Sequence, residues 1–159
     1  MFGITGARNF LEKVQQDYSE VKKDIADPSL AMNCILSSYH LHEWVWARWL
    51  KGNVGAQQSL GVTGSKEVFL DWLDSNCPYF MLVQELANGT KHCAPVHSTE
   101  NVAGYGVGPF GVGPFGEAYL LIDLGDDHAA DERYLVASTV LGEVVSFWTE
   151  FFDINGILD

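Results

Sequence analysis

Residues 28–51, PSLAMNCILSSYHLHEWVWARWLK, decide the fold. Leu30, Cys34, Leu41 and Val45 fall on one stripe at helical spacing, and Ile35, Tyr39, Trp46, Trp49 and Leu50 spread apolar surface around most of the rest. A helix that is apolar nearly all round belongs at the centre of a fold, because a surface helix keeps one face in water. Asp27 before Pro28 reads as the N-cap and first helical position, and Gly52 and Gly55 mark the end. Ser37 and Ser38 are small enough to let a neighbour approach closely. The expectation is a single helix over 28–51, the most buried element of the protein.

Working outward, Leu11, Val14, Tyr18, Val21 and Ile25 step by three and four between charged and amide residues. That pattern predicts an amphipathic helix ending near Asp27. Residues 52–64 hold four glycines and read as a loop. Ser65 is placed to cap a short helix carrying Val68, Phe69, Trp72 and Leu73. Asn76-Cys77-Pro78 restarts the chain as a further helix, with Phe80, Leu82, Val83, Leu86 and Ala87 on its buried side. Residues 93–116 read as irregular and contain a tandem pentad, GVGPF at 106–110 and again at 111–115. Glycine at alternate positions, with proline, argues against helix and central strand, so two turns docking Phe110 and Phe115 on the core are expected. Tyr119 to Leu124 and Tyr134 to Ala137 read as a hairpin within about 117–137. Ser138 or Thr139 is placed to cap a last helix bearing Leu141, Val144, Val145, Trp148, Phe151 and Phe152. The pattern predicts a mainly α fold in one domain over 1–159, a four-helix up-and-down bundle with a small β-hairpin inserted before the last helix.

The 159 residues carry a formal net charge of −12, unevenly spread. Residues 1–92 hold eight basic and ten acidic side chains, whereas residues 93–159 hold Arg133 against eleven acids, a net of −10. The C-terminal part repels a polyanion, so extended contact with a nucleic-acid backbone is disfavoured. No apolar run approaches the roughly twenty residues that span a bilayer, and no membrane association is expected. Met1 to Ala7 lacks the basic and apolar regions of a signal peptide. Cys34, Cys77 and Cys93 form no Cys-x-x-Cys pair. A reducing cytoplasm is the simplest compartment.

Two groups of residues carry chemistry. Asn88, Lys91 and His92 are three and four apart, so on a continued helix all three share one face. An imidazole moves protons near neutral pH, a lysine stabilises a pentacoordinate phosphorane, and an amide orients a ribose or phosphate oxygen. Those are the parts of metal-independent RNA cleavage at a 2′-hydroxyl. The plainer reading is that Asn88-Gly89 ends the helix and Lys91 and His92 meet its last carbonyls. His40 and Glu43, also three apart, form a second polar group inside an apolar helix, a supporting network that could orient His92 or pair with Lys91. His42 lies two from His40 and points elsewhere, so no metal pair is built there. The acids Asp123, Asp126, Asp127 and Asp131 lack calcium-loop spacing. Neither metal nor cofactor is expected.

The segment Tyr39-His40-Leu41-His42-Glu43-Trp44-Val45-Trp46, the Cys77-Pro78 restart, the Leu86-to-His92 segment, the aromatic-glycine repeat and the Phe147-Trp148 helix resemble a group of small bacterial and phage proteins. More remotely the chain is similar to the HEPN superfamily of helical bundles, many of them ribonucleases or toxins in bacterial and phage conflict. Their motif is an arginine, usually a polar residue, then a histidine, with the active site commonly formed across a dimer. Asn88 and His92 match the polar residue and the histidine. Ala87 stands in the arginine's place, and Lys91 is a point charge without the guanidinium fork. The resemblance implies a HEPN-like ribonuclease or toxin-like effector in which His92 is general acid or base, Asn88 orients RNA, Lys91 stabilises charge, and a homodimer completes the site. The alternatives are a non-catalytic acidic module that binds a basic protein partner, and a small-molecule sensor.

Overall fold

A computed structural model describes residues 3–92, 97–103, 108–129 and 131–158, with the backbone alone at 90–92. The protein is mainly helical, with helices α1 (Ala7–Val21), α2 (Pro28–Val45), α3 (Val54–Leu60), α4 (Lys66–Asn76), α5 (Phe80–His92) and α6 (Ala137–Asn155). A small antiparallel sheet, order β1-β2-β3, is formed by Ser98–Val102, Tyr119–Asp123 and Tyr134–Val136. Among the described residues no helix is long and apolar enough to cross a membrane.

Helix α1 buries Leu11, Val14 and Val21 on one stripe. It stops at Val21 rather than near Asp27, because Ile25 leaves the helical path to serve the sheet. Its carbonyl accepts from Leu120 N at 3.2 Å, and the Asn101 amide donates to Ala26 O at 2.8 Å. The Asp27 carboxylate then caps α2, accepting from Ser29 N at 2.7 Å and Leu30 N at 3.1 Å.

Helix α2 packs against α1, α5 and α6 and buries Ala31, Cys34, Ser37, Ser38, Leu41, His42 and Val45. The helical path continues to Leu50, but residues Trp46–Leu50 form a wider π-helical turn. There Trp46 stacks near Phe69 of α4 and Trp49 meets Phe151 of α6 edge-on. This element was expected to be the most buried of the protein. Over the expected span 28–51, Leu50 included, eight side chains are buried, the same number as in α6, so this element shares the core with α6, where Trp148 and Phe152 are fully enclosed.

Other local readings shift for identifiable reasons. The glycine-rich stretch 52–64 contains α3, because Asn53 caps it through Ala56 N at 3.1 Å and Gly61 closes it in a left-handed conformation. Ser65 stands at the N-cap of α4 without a side-chain cap bond, and α6 starts directly after Val136, so neither Ser138 nor Thr139 caps it. Asn88-Gly89 does not end α5, which runs on to His92 with Gly89 buried.

β2 and β3 pair antiparallel, with Leu121 opposite Val136 and Asp123 opposite Tyr134. β1 is an added strand inside a region read as irregular, pairing Val102 with Tyr119 and Ser98 with Asp123. Strand alternation divides β2: Leu120 and Ile122 join the main core, while Tyr119 and Leu121 build a second cluster with Val102, Ile25 and Val112. The pentad loop folds onto that cluster by Val112, not by its phenylalanines. Gly108 and Gly113 have positive φ and lie against Tyr119, where an added Cβ would come within 2.8 and 2.5 Å of the side chain. Phe110 and Phe115, expected to dock, are 106% and 84% exposed.

Candidate functional site: the groove between the second and fifth helices

His42 of α2 meets the ring of Phe80, Gln84 Nε2 donates to Tyr39 Oη at 3.3 Å, and Ala87 and Asn88 share a groove with Leu36 and Met32. As α5 ascends, its partners on α2 descend, so the two helices run antiparallel. The groove they leave has a volume of about 550 Å³ and is lined by Met32, Leu36, Tyr39, His40, Glu43, Ala87 and Asn88. Three of the residues singled out in the sequence, His40, Glu43 and Asn88, therefore line one cleft. Lys91 and His92 belong to the continuous helix α5, but their side chains lie outside the described residues.

Met32, Leu36, Tyr39, His40 and Glu43 recur at three- and four-residue steps, which is why one face of α2 forms a whole wall. That second stripe was available in the sequence but was masked by the stronger Cys34–Leu41–Val45 stripe. Tyr39 and His40 place their rings 5.3 Å apart at 48°. The Tyr39 hydroxyl accepts from Gln84, which leaves its own hydrogen free to donate.

Glu43 does not pair with His40. Its Oε1 receives the Lys66 ammonium of α4 at 2.7 Å and lies 3.3 Å from His42 Nε2. Partial burial raises the Glu43 pKa, but the Lys66 hydrogen bond and the neighbouring charges outweigh it, so the carboxyl titrates below its usual range. His42 is the group the sequence reading set aside. It is 1% exposed, and its Nδ1 lies 2.5 Å from Tyr39 O. A carbonyl only accepts, so Nδ1 carries the proton and Nε2 presents a lone pair. That lone pair faces the Glu43 carboxylate without forming a hydrogen bond. Burial lowers the His42 pKa and keeps the ring neutral, against smaller opposing effects of Tyr39 O and Glu43.

Beyond the groove, His97 Nε2 lies 2.7 Å from Glu85 Oε2 and ties the start of β1 to α5. Arg133 forks onto Asp123 at 2.6 and 2.7 Å and also engages Asp126. That guanidinium, together with Gly125 N, holds the Asp123 carboxyl down at about 2. The acidic turn is thus a structural clasp. Burial pushes the Cys34 and Cys77 thiols up to about 12, so neither is a ready nucleophile. Among the described residues no three His, Cys, Asp or Glu side chains are placed to hold a metal ion.

Comparison of the chain with protein families, with curated proteins and with solved structures finds no match.

Proposed function

We propose that the α2–α5 groove binds a planar, uncharged heterocycle of the nucleobase kind, making the protein a ligand sensor built on a HEPN-like four-helix arrangement. The carrying observation is the convergence of a carboxylate, an amide and a tilted Tyr39–His40 ring pair over an apolar floor in one cleft. An ionised Glu43 accepts from an exocyclic amine, Asn88 both donates and accepts along a base edge, and aromatic rings supply stacking. The volume falls within the range of roughly 300–1,000 Å³ usual for small-ligand sites. The Glu43 charge and the net −10 of residues 93–159 turn away a bare phosphate chain, so a neutral ligand fits better than a polyanion. Calorimetry with the four ribonucleosides should give a dissociation constant on the order of 10–1,000 µM for an amine-bearing base, weakened about tenfold by Asn88→Ala. Failure of every nucleoside to bind overturns the reading.

A second reading extends the first to catalysis. The unbroken course of α5 through Gly89 supports it, since Asn88, Lys91 and His92 keep their three- and four-residue spacing, and His40 adds an imidazole to the cleft. In this reading the protein is a cytoplasmic, metal-independent ribonuclease or toxin-like effector, completed by a second copy. Purified protein should then cleave single-stranded RNA in the presence of EDTA. His92→Ala should abolish cleavage with the fold intact, and Ala87→Arg should strengthen it by supplying the missing fork. Inert wild-type and Ala87→Arg proteins on varied RNAs would leave the sensor reading standing alone.

A further inference from the structure

We propose that the base taken by the α2–α5 groove is guanine, read by the Glu43 carboxylate through two adjacent N–H donors. This identity rests on the groove being a nucleobase site, and it follows from the polar groups that stand at each end of the groove. The Glu43 end offers acceptors only. Glu43 is the one carboxylate among the described lining residues, and the Lys66 ammonium, 2.7 Å from Oε1, reaches it from α4 without itself lining the groove. An ion-paired carboxylate accepts and does not donate, and its two oxygens suit a pair of parallel N–H groups. Lys66 occupies one lone pair of Oε1 and leaves the rest for a ligand. Behind Glu43 the enclosed His42 adds a second acceptor, because its Nδ1 is turned to Tyr39 O at 2.5 Å and its Nε2 lone pair stands 3.3 Å from Oε1.

The rest of the groove is able to donate. Gln84 of α5 meets the Tyr39 hydroxyl, so one turn further along the antiparallel α5 Asn88 comes level with Leu36. Leu36 lies seven residues before Glu43 on α2, roughly 10 Å away at the rise of an α-helix. A purine about 5 Å across, with a hydrogen bond of about 3 Å at each edge, covers that span. The Tyr39 hydroxyl keeps a hydrogen to donate, and the Asn88 amide supplies two more. The bases answer this arrangement differently. Guanine carries N1–H and its 2-amino group side by side on one edge and presents acceptors, O6 and N7, on the other. Adenine and cytosine put a ring-nitrogen acceptor beside their amine, and uracil sets its N–H between two carbonyls. Each of those turns a lone pair toward the carboxylate, where guanine adds a second charge-assisted hydrogen bond.

Calorimetry on the full chain with the four ribonucleosides reads the choice. Guanosine should bind at least about tenfold more tightly than adenosine, cytidine or uridine. Two analogues probe the donor edge without altering the protein. Inosine, which lacks the 2-amino group, and 1-methylguanosine, which blocks N1–H, should each bind about tenfold more weakly than guanosine. Glu43→Gln keeps the shape but gives that end a donor, so it should bring guanosine level with adenosine while the circular dichroism spectrum is unchanged. A free nucleoside and an unpaired guanine in a strand offer the same edge, and guanylyl-3′,5′-uridine separates them. It binds more weakly than guanosine if the base is taken free and more tightly if it is taken from a strand, and guanine is the ligand either way. The proposal is overturned, with the groove still a nucleobase site, if any other ribonucleoside or inosine binds as tightly as guanosine, or if Glu43→Gln keeps the preference. If no nucleoside binds, both readings fall.

Discussion

Helices α2 and α6 lie side by side in the core, yet they bury different things. The buried side chains of α6 are hydrophobic, Ala137, Val140, Leu141, Val144, Val145, Trp148, Phe151 and Phe152, and the indole Nε1 of Trp148 has no hydrogen-bond partner. α2 buries Ser37, Ser38 and His42 among its apolar residues. Ser37 and Ser38 each have a partner, and His42 has one for Nδ1 but none for Nε2. Ser37 donates to Asp17 at 2.6 Å, Ser38 lies 3.8 Å from the Cys34 sulfur, and His42 uses the Tyr39 carbonyl. A buried apolar face contributes stability in proportion to area and tolerates small slips. A buried polar group is costly unless its partner is in place, so it fixes geometry. α6 therefore anchors the fold, and α2, whose outer stripe forms the groove wall, holds a defined shape.

The comparison breaks most visibly at Trp148. Trp148→Ala should cost about 3–5 kcal/mol, read as a shift of the urea midpoint, because the ring is fully enclosed. A loss below about 1 kcal/mol would show that α6 is not the anchor. Next in size is the contact of α6 with α1 at Gly142. An alanine in mid-helix ordinarily gains about 1 kcal/mol over glycine. Here its Cβ would lie 2.5 Å from the Tyr18 hydroxyl, so Gly142→Ala should destabilise by about 1–3 kcal/mol. Adding Tyr18→Phe removes the nearest atom and should recover much of that loss. If the single variant is more stable than wild type, the two helices are not in close contact there.

The smallest effect concerns α2 and is a pH dependence. The folded-state pKa of His42 is depressed, so as pH falls the unfolded chain takes up this proton first. The contribution is fully present above the ordinary imidazole pKa of about 6.5 and is lost as pH falls below it. Glu43, also depressed, acts separately and only at lower pH, as its carboxylate is protonated. His42→Leu should flatten the stability curve below about pH 6.5 without removing the acid limb that carboxylates set. An unchanged slope in the variant would show that His42 is protonated when folded.

What was readable in the sequence follows from how local each determinant is. The Asp27-Pro28 start of α2, the helical periodicity of α1 and α6, and the β2–β3 pair are written in neighbouring residues. β1 is not: Ser98 to Asn101 are exposed, and only pairing with β2 makes that segment a strand. The course of α5 through Asn88-Gly89 is likewise set by packing, which overrides a local stop signal. For the groove, His40, Glu43 and Asn88 were visible as polar residues on helix faces. Their assembly depends on the antiparallel approach of α5. The contact between His42 and Glu43 was hidden because adjacent helical residues do not ordinarily face each other. The exposed phenylalanines defeat a rule that aromatic residues go inside, a rule that composition alone cannot suspend.

The contact of α1 with α6 also constrains the order in which the protein comes into being. The hairpin of α1 and α2 is synthesised before α6, yet both of its helices pack against α6 in the shared core. Until α6 leaves the ribosome, the nascent hairpin shows an unfinished apolar face to the cell. Interception by a chaperone, or aggregation, is then confined to a window that closes when α6 arrives.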